Sequence, residues 1–136
     1  MQSKSFIIVF SLCCLPLFCD QALATFFDGM EAYRQSDYQT ALREFKSAGE
    51  DAKALYMVGV MNEKGEGIPV NYSEAVSWYR QSAEKGNAVA QYRLGRLYER
   101  GLGVEKSIDD AIKLYKRAAK QGQADAKQAL KRVEAK

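Results

Sequence analysis

One offset dominates this chain. Laid against itself with a shift of 36, the sequence brings Tyr56 onto Tyr92, Gly59 onto Gly95, Gly65 onto Gly101 and Gly67 onto Gly103. The match continues without a gap through Ala75 and Ala111, Tyr79 and Tyr115, Ala83 and Ala119, and Gly86 and Gly122. A fixed period of 20–50 residues marks units that cannot bury an apolar face alone and must stack on their neighbours. Within each period apolar residues recur at i, i+3, i+4 and i+7, as in Ala54–Met61 and Ala75–Ala83. That spacing predicts two short amphipathic helices per unit and no strands.

The punctuation agrees with this reading. Asn71 followed by Glu74, and Ser107 followed by Asp110, predict capping boxes in which the carboxylate reaches back to the cap's N–H. Gly86 and Gly122 sit where a left-handed residue ends the second helix of each unit. Gly59 and Gly95 fall inside helices, where Gly costs about 1 kcal/mol against Ala. The repetition of that cost predicts close approach of a partner helix carrying Tyr79 and Ala83, or Tyr115 and Ala119. Gly65-Glu66-Gly67 could be mistaken for a phosphate loop. A helix precedes it, Glu66 would repel phosphate, and Gly101-Leu102-Gly103 repeats it, so it reads as a helix stop and turn.

The stretches AKALYMVGVMNEKGEGIPVNYSEAVSWYRQSAEKGN and AVAQYRLGRLYERGLGVEKSIDDAIKLYKRAAKQGQ resemble the Sel-1-like repeat family, a relative of the tetratricopeptide repeats. Asn62 departs from the pattern where the next unit has Tyr98, and Leu114 departs where the previous unit has Trp78. The resemblance implies an all-α fold: a right-handed α-solenoid of antiparallel helix pairs. Gly29, Tyr33, Ala41, Phe45 and Ala48 form a degenerate tetratricopeptide-like pair with a shorter turn at Gln35–Tyr38. Ala126, Leu130 and Val133 mark a C-terminal capping helix whose other face is lysine-rich. The expected division is a signal peptide at 1–24, a degenerate helix pair at 25–51, repeats at 52–87 and 88–123, and a cap at 124–136. Seven helices are expected after the signal.

That signal is read from Lys4, the apolar run Phe6–Phe18, and the small-x-small tripeptide Ala22-Leu23-Ala24, with cleavage before Thr25. The run is roughly 13 residues and contains Pro16, whereas a spanning helix needs about 20. Cys13, Cys14 and Cys19 all lie in the segment to be removed, and none has the small residue before it that a lipoprotein signal wants. An exported, periplasmic or secreted protein of a Gram-negative bacterium is the expectation, held together by packing without disulfides. Asn71-Tyr72-Ser73 fits a glycosylation acceptor, but helix capping accounts for Asn71.

Catalysis is not expected. The chain has no His, no Gly-x-Ser-x-Gly elbow and no cysteine after residue 19. Asp109 and Asp110 are an adjacent acidic pair, but consecutive helical residues diverge by about 100°; a first helical turn explains them. No cofactor or metal is expected. Cysteine-rich relatives have been linked to β-lactam binding or hydrolysis, but this chain lacks their cysteines, so an envelope hydrolase or β-lactam-binding role stays a secondary alternative.

What the resemblance does imply is an adaptor binding a protein or peptide partner on its concave face. In the tetratricopeptide-type arrangement the first helix of each pair lines that face. Counting from the packing glycine, the outward positions are Tyr56, Val60 and Lys64, then Tyr92, Arg96 and Arg100, with Met30 and Arg34 similarly placed around Gly29. Tyrosines among Arg and Lys suit peptide capture. A sharper alternative is a periplasmic immunity protein that neutralises a secreted toxin such as a lipase. Net charge is +3 overall, but eight basic and two acidic residues from Lys113 onward leave Thr25–Ile112 at −3. This basic end suggests contact with an anionic membrane surface. Nucleic acid is not an expected partner, and a homo-oligomer could extend so short a concave surface.

Overall fold

The computed structural model describes residues 17–135, with side chains from residue 21. Among them are seven helices: α1 (Leu17–Arg34), α2 (Tyr38–Ser47), α3 (Ala52–Lys64), α4 (Tyr72–Glu84), α5 (Ala88–Arg100), α6 (Ile108–Lys120) and α7 (Ala124–Glu134). Substantial contact is confined to helices adjacent in sequence, and it is heavier within the pairs α1/α2, α3/α4 and α5/α6 than between them. That linear order makes the molecule an all-α helical-repeat solenoid.

The pairs close on glycine. A Cβ built at Gly59 would lie 2.6 Å from the Tyr79 ring, one at Gly95 2.7 Å from the Tyr115 ring, and one at Gly29 2.7 Å from the Phe45 ring. Tyr79 and Tyr115 are 0% exposed. Glycine and ring are 20 residues apart in the two full repeats and 16 apart in the first pair, as its shorter turn requires. Trp78 packs on the core cluster shared by α1, α2 and α3, and Leu114 belongs to the one shared by α3, α4 and α5. At both positions the side chain joins a core that spans two pairs, filled at Leu114 by a smaller side chain.

The expected caps are present, with one correction. Asn71 accepts a hydrogen bond from the Glu74 N–H at 3.1 Å, and Ser107 from the Asp110 N–H at 3.2 Å. The reciprocal half of the box does not form. The Asn71 N–H goes to the Asn62 carbonyl at 2.9 Å, and the Ser107 N–H to the Tyr98 carbonyl at 3.0 Å. The loop folds back on the preceding helix, so a backbone acceptor reaches the cap N–H in place of the carboxylate. The Asp110 carboxylate instead accepts from the Ser107 hydroxyl at 2.9 Å, and this bond, with Lys113 beside it, holds Asp110 below the usual carboxylate range.

The Gly-x-Gly turns do more than stop a helix. Gly65 and Gly101 are left-handed C-caps with φ 74° and 65°. Gly67 lies against the start of α2, where a Cβ would come 2.6 Å from the Cβ of Tyr38, and Gly103 lies against the backbone at Tyr72, the start of α4. Gln39 donates to the Gly67 carbonyl at 2.6 Å. Each turn thus fastens its pair to the one before. Buried Gln91 does the same, donating from α5 to the Ala83 carbonyl of α4, while buried Ser82 ties α4 to its own partner by donating to the Ala52 carbonyl.

Ala22, Ala24 and Thr25 lie inside α1; the rest of the proposed signal, residues 1–16, lies outside the described residues. Leu23 is 53% exposed, and Phe26 is the first of the described α1 side chains to pack on the core. No helix among the described residues is long and apolar enough to cross a membrane.

Replacing Gly95 with Ala weighs a helix-propensity gain of about 1 kcal/mol against a ring that cannot retreat. We expect the clash to win, with a net destabilisation of about 1–3 kcal/mol. A thermal melt would read this as a clear fall in Tm; a Tm at or above wild type would show that the Tyr115 ring can move aside.

Candidate functional site

The first helices of the pairs share one surface, and the glycine register orders it in rows. Three residues before the packing glycine stand Phe26, Tyr56 and Tyr92, all half-buried. Tyr56 lies against Tyr79 with ring centroids 5.8 Å apart, and Tyr92 against Tyr115 at 5.9 Å. Phe26 lies against Phe45 at 5.9 Å. Each exposed-side ring is thus backed by the buried ring of its own pair, which makes an aromatic wall that runs along the stack.

An open groove of about 570 Å³ lies against this wall, between Phe26 and Met30 of α1, Lys53, Tyr56 and Met57 of α3, and the α4–α5 turn with Val89 at the start of α5. Val89 is 39% exposed. Among the residues expected from sequence, the groove brings together Met30 and Tyr56. Tyr92 and Arg96 extend the same surface along α5, with the Arg96 guanidinium 6.0 Å from the Tyr92 ring centroid.

Val60 requires correction. It is 5% exposed and sits in a core cluster with Val76 and Tyr79 of α4 and Leu94 of α5. Four residues along a helix rotate by about 40°, and in an interior unit that rotation carries the side chain from the groove wall into the seam with the next pair. The equivalent position in the last full unit, Arg96, is only partly buried.

Arg34, Lys64 and Arg100 stand apart from the groove. They occupy the last turns of α1, α3 and α5, where cations complement the helix dipole. Lys64 is eight residues beyond Tyr56, about 12 Å along the axis. Arg34 pairs with Glu31 at 2.9 Å, and Lys64 lies 3.8 Å from Glu66.

Sequence reasoning passed over Phe26, Lys53, Met57 and Val89. Phe26 was available from the same counting rule, since it precedes Gly29 as Tyr56 precedes Gly59. It also passed over two carboxylates at the repeat offset, Glu63 and Glu99. The Tyr79 hydroxyl donates to Glu63 at 2.5 Å and the Tyr115 hydroxyl to Glu99 at 2.7 Å. Each acid then meets an arginine from the next unit: Arg93 at 3.8 Å from Glu63, and Arg132 on both oxygens of Glu99 at 2.6 and 2.8 Å. Burial first, then the bonded carboxylate, pushes both phenols, and likewise Tyr33 on Glu66, well above their ordinary ionisation. A second, smaller cleft of about 260 Å³ lies on the α4/α6 side, lined by Arg80, Glu84, Asp110, Lys113 and Arg117. No group of three or more metal-ligating side chains occurs among the described residues.

Two consecutive matches to the Sel1 repeat cover residues 52–87 and 88–123. Among solved structures, a Sel1 repeat protein from Oxalobacter formigenes is 34% identical over 77% of this chain and 44% of its own, with a TM-score of 0.75. A protective antigen with an SLR fold, present in uropathogenic Escherichia coli strains, is 30% identical over 87% of this chain and 28% of its own, with a TM-score of 0.74. Cysteine-rich protein B of Helicobacter pylori shares the fold at 20% identity and a TM-score of 0.71, over 83% of this chain and 88% of its own. The chain therefore spans less than half the length of the first two. No curated protein matches it significantly.

A phenol whose folded-state ionisation is raised contributes its full stabilisation below the ordinary value near 10 and loses it as pH climbs into the raised range. Alkaline titration should therefore show the phenolate absorbance of Tyr33, Tyr79 and Tyr115 only as the chain unfolds. Tyr115→Phe should remove one late-titrating group and destabilise by about 1 kcal/mol. Early, reversible ionisation of all eight tyrosines would contradict the buried pairs.

Proposed function

The chain belongs to the Sel1 repeat family, whose members are protein–protein interaction modules and generally non-catalytic scaffolds, and from that premise we propose an adaptor of the bacterial cell envelope that captures a protein or peptide partner along α1, α3 and α5. The observation that carries this is the groove itself: about 570 Å³, open, walled by Phe26 and Tyr56 and floored by Met57. Its walls are rigid because each ring is backed by a buried one, and a preformed apolar trough loses little conformational entropy on filling. Aromatic anchors with an arginine alongside, Tyr92 and Arg96, are the side chains that carry binding energy at interfaces.

Export is supported by the apolar run Phe6–Phe18 and by Ala22-Leu23-Ala24. The packing of α1 accords with cleavage there. Among its described side chains core contacts begin at Phe26, and removal of residues through Ala24 would leave Thr25–Arg34 matched in length to the ten-residue α2.

A photo-crosslinking side chain placed at Val89, on the groove, should give a discrete adduct in the native envelope. The same probe at Val70, 52% exposed on the α3–α4 loop, should not. Met30→Glu with Val89→Glu should abolish the adduct while Tm stays within a few degrees. Crosslinking at Val70 and none at Val89 would move the binding surface away from the groove.

A further inference from the structure

The repeat register makes α7 an exception. The position that holds Gly59 in α3 and Gly95 in α5, each beneath a tyrosine ring of the following helix, is Lys131 in α7. The position of buried Gln91 becomes exposed Lys127. A lysine where the next ring would sit closes the stack to a further helix, so this face meets solvent or something other than another repeat.

A capping face needs to be polar; it does not need to be cationic. Residues 52–112 carry eight basic and eight acidic residues, while residues 113–136 carry eight basic and two acidic. On α6, Lys113, Lys116, Arg117 and Lys120 fall at i, i+3, i+4 and i+7, all exposed. On α7, Lys127, Lys131 and Glu134 share a face, and Lys116 reaches Glu134 at 3.6 Å. That contact joins the two rows into one surface. Lys120, Lys127 and Lys131 have no acidic side chain within ion-pair distance among the described residues.

The chemistry of the row selects its partner. Lysines are mobile point charges, without the bidentate geometry by which arginine reads a specific carboxylate. Lys116, Lys120, Lys127 and Lys131 line neither of the clefts described above, so the surface offers no recess for an anchoring side chain. Because helices pack chiefly on their sequence neighbours, charge along the chain is charge along the stack. The first pair, residues 25–51, is net −3, so the molecule is a dipole with its basic pole at α6–α7. We propose that this pole docks on an anionic lipid surface, with Lys116, Lys120, Lys127 and Lys131 against headgroup phosphates and the acidic pole directed away.

The test is cosedimentation of protein purified from cells producing the full chain. The vesicles are phosphatidylcholine, pure or with about 30 mol% phosphatidylglycerol, at low and at physiological salt. Binding is expected only with phosphatidylglycerol and should weaken at least tenfold as salt rises from about 50 to 300 mM. Lys116, Lys120, Lys127 and Lys131 changed together to Gln should weaken it by on the order of 100-fold. A control set that removes four exposed lysines elsewhere, Lys46, Lys53, Lys64 and Lys106 to Gln, should stay within about threefold of wild type, since short-range attraction is local. The single reversal Lys127→Glu, at an exposed site outside the packing face, should show the same direction in a smaller loss. No binding to phosphatidylglycerol, equal binding to pure phosphatidylcholine, or equal losses from the two quadruple variants would each overturn the proposal.

Discussion

The solenoid hangs on the seating of an aromatic ring on a glycine. In each of three consecutive pairs the first helix gives up a Cβ, at Gly29, Gly59 and Gly95, so that a ring from the second can lie on its backbone. The cost in helix propensity is small beside the apolar area that a buried Tyr or Phe removes from water. It also sets a distance: with no Cβ between them, the two helices approach closely enough that the ring fixes their register as well as their spacing. Everything on the outer surface is counted from that glycine.

This is why the candidate groove is an outcome of packing and not an addition to it. The position three residues before the glycine lies beside the seated ring, so a large aromatic there is supported from behind and half exposed in front. Phe26, Tyr56 and Tyr92 repeat that arrangement. The seated tyrosine is then held at its other end by a carboxylate, Glu63 or Glu99, which an arginine from the next unit also engages. One chain of contacts therefore runs from the groove wall through the buried ring to the neighbouring pair. A partner in the groove would press on a surface tied to the interface between repeats.

The helix pairs, their order and the ring–glycine contact were legible because the 36-residue offset shows which positions answer to the same constraint. What was not legible depended on where a unit sits in the stack. Val60 and Arg96 share a register, but Val60 is followed by a full neighbouring pair and is buried, while Arg96 is followed by the single helix α7 and is partly open. The caps show the same limit: Asn71 and Ser107 announce themselves locally, yet their N–H groups go to the Asn62 and Tyr98 carbonyls, which only the folded loop brings near. Val89 and its equivalent Lys53 both line the groove, but the positions counted outward from the packing glycine include neither. Phe26 could have been found, since the rule that picked Tyr56 and Tyr92 picks it too.

Departures from the repeat then become the informative positions, because conformity is explained by packing. Lys131 is the clearest. A glycine there would have kept α7 open to another ring and to unending growth of the stack, and any bulky polar residue would have closed it. The chain closes it with a lysine and surrounds it with more, with one acid, Glu134, in the joined row. Packing explains why the position is not glycine. It does not explain the sign of the charge, and that remainder is where a partner of opposite charge enters the physical account.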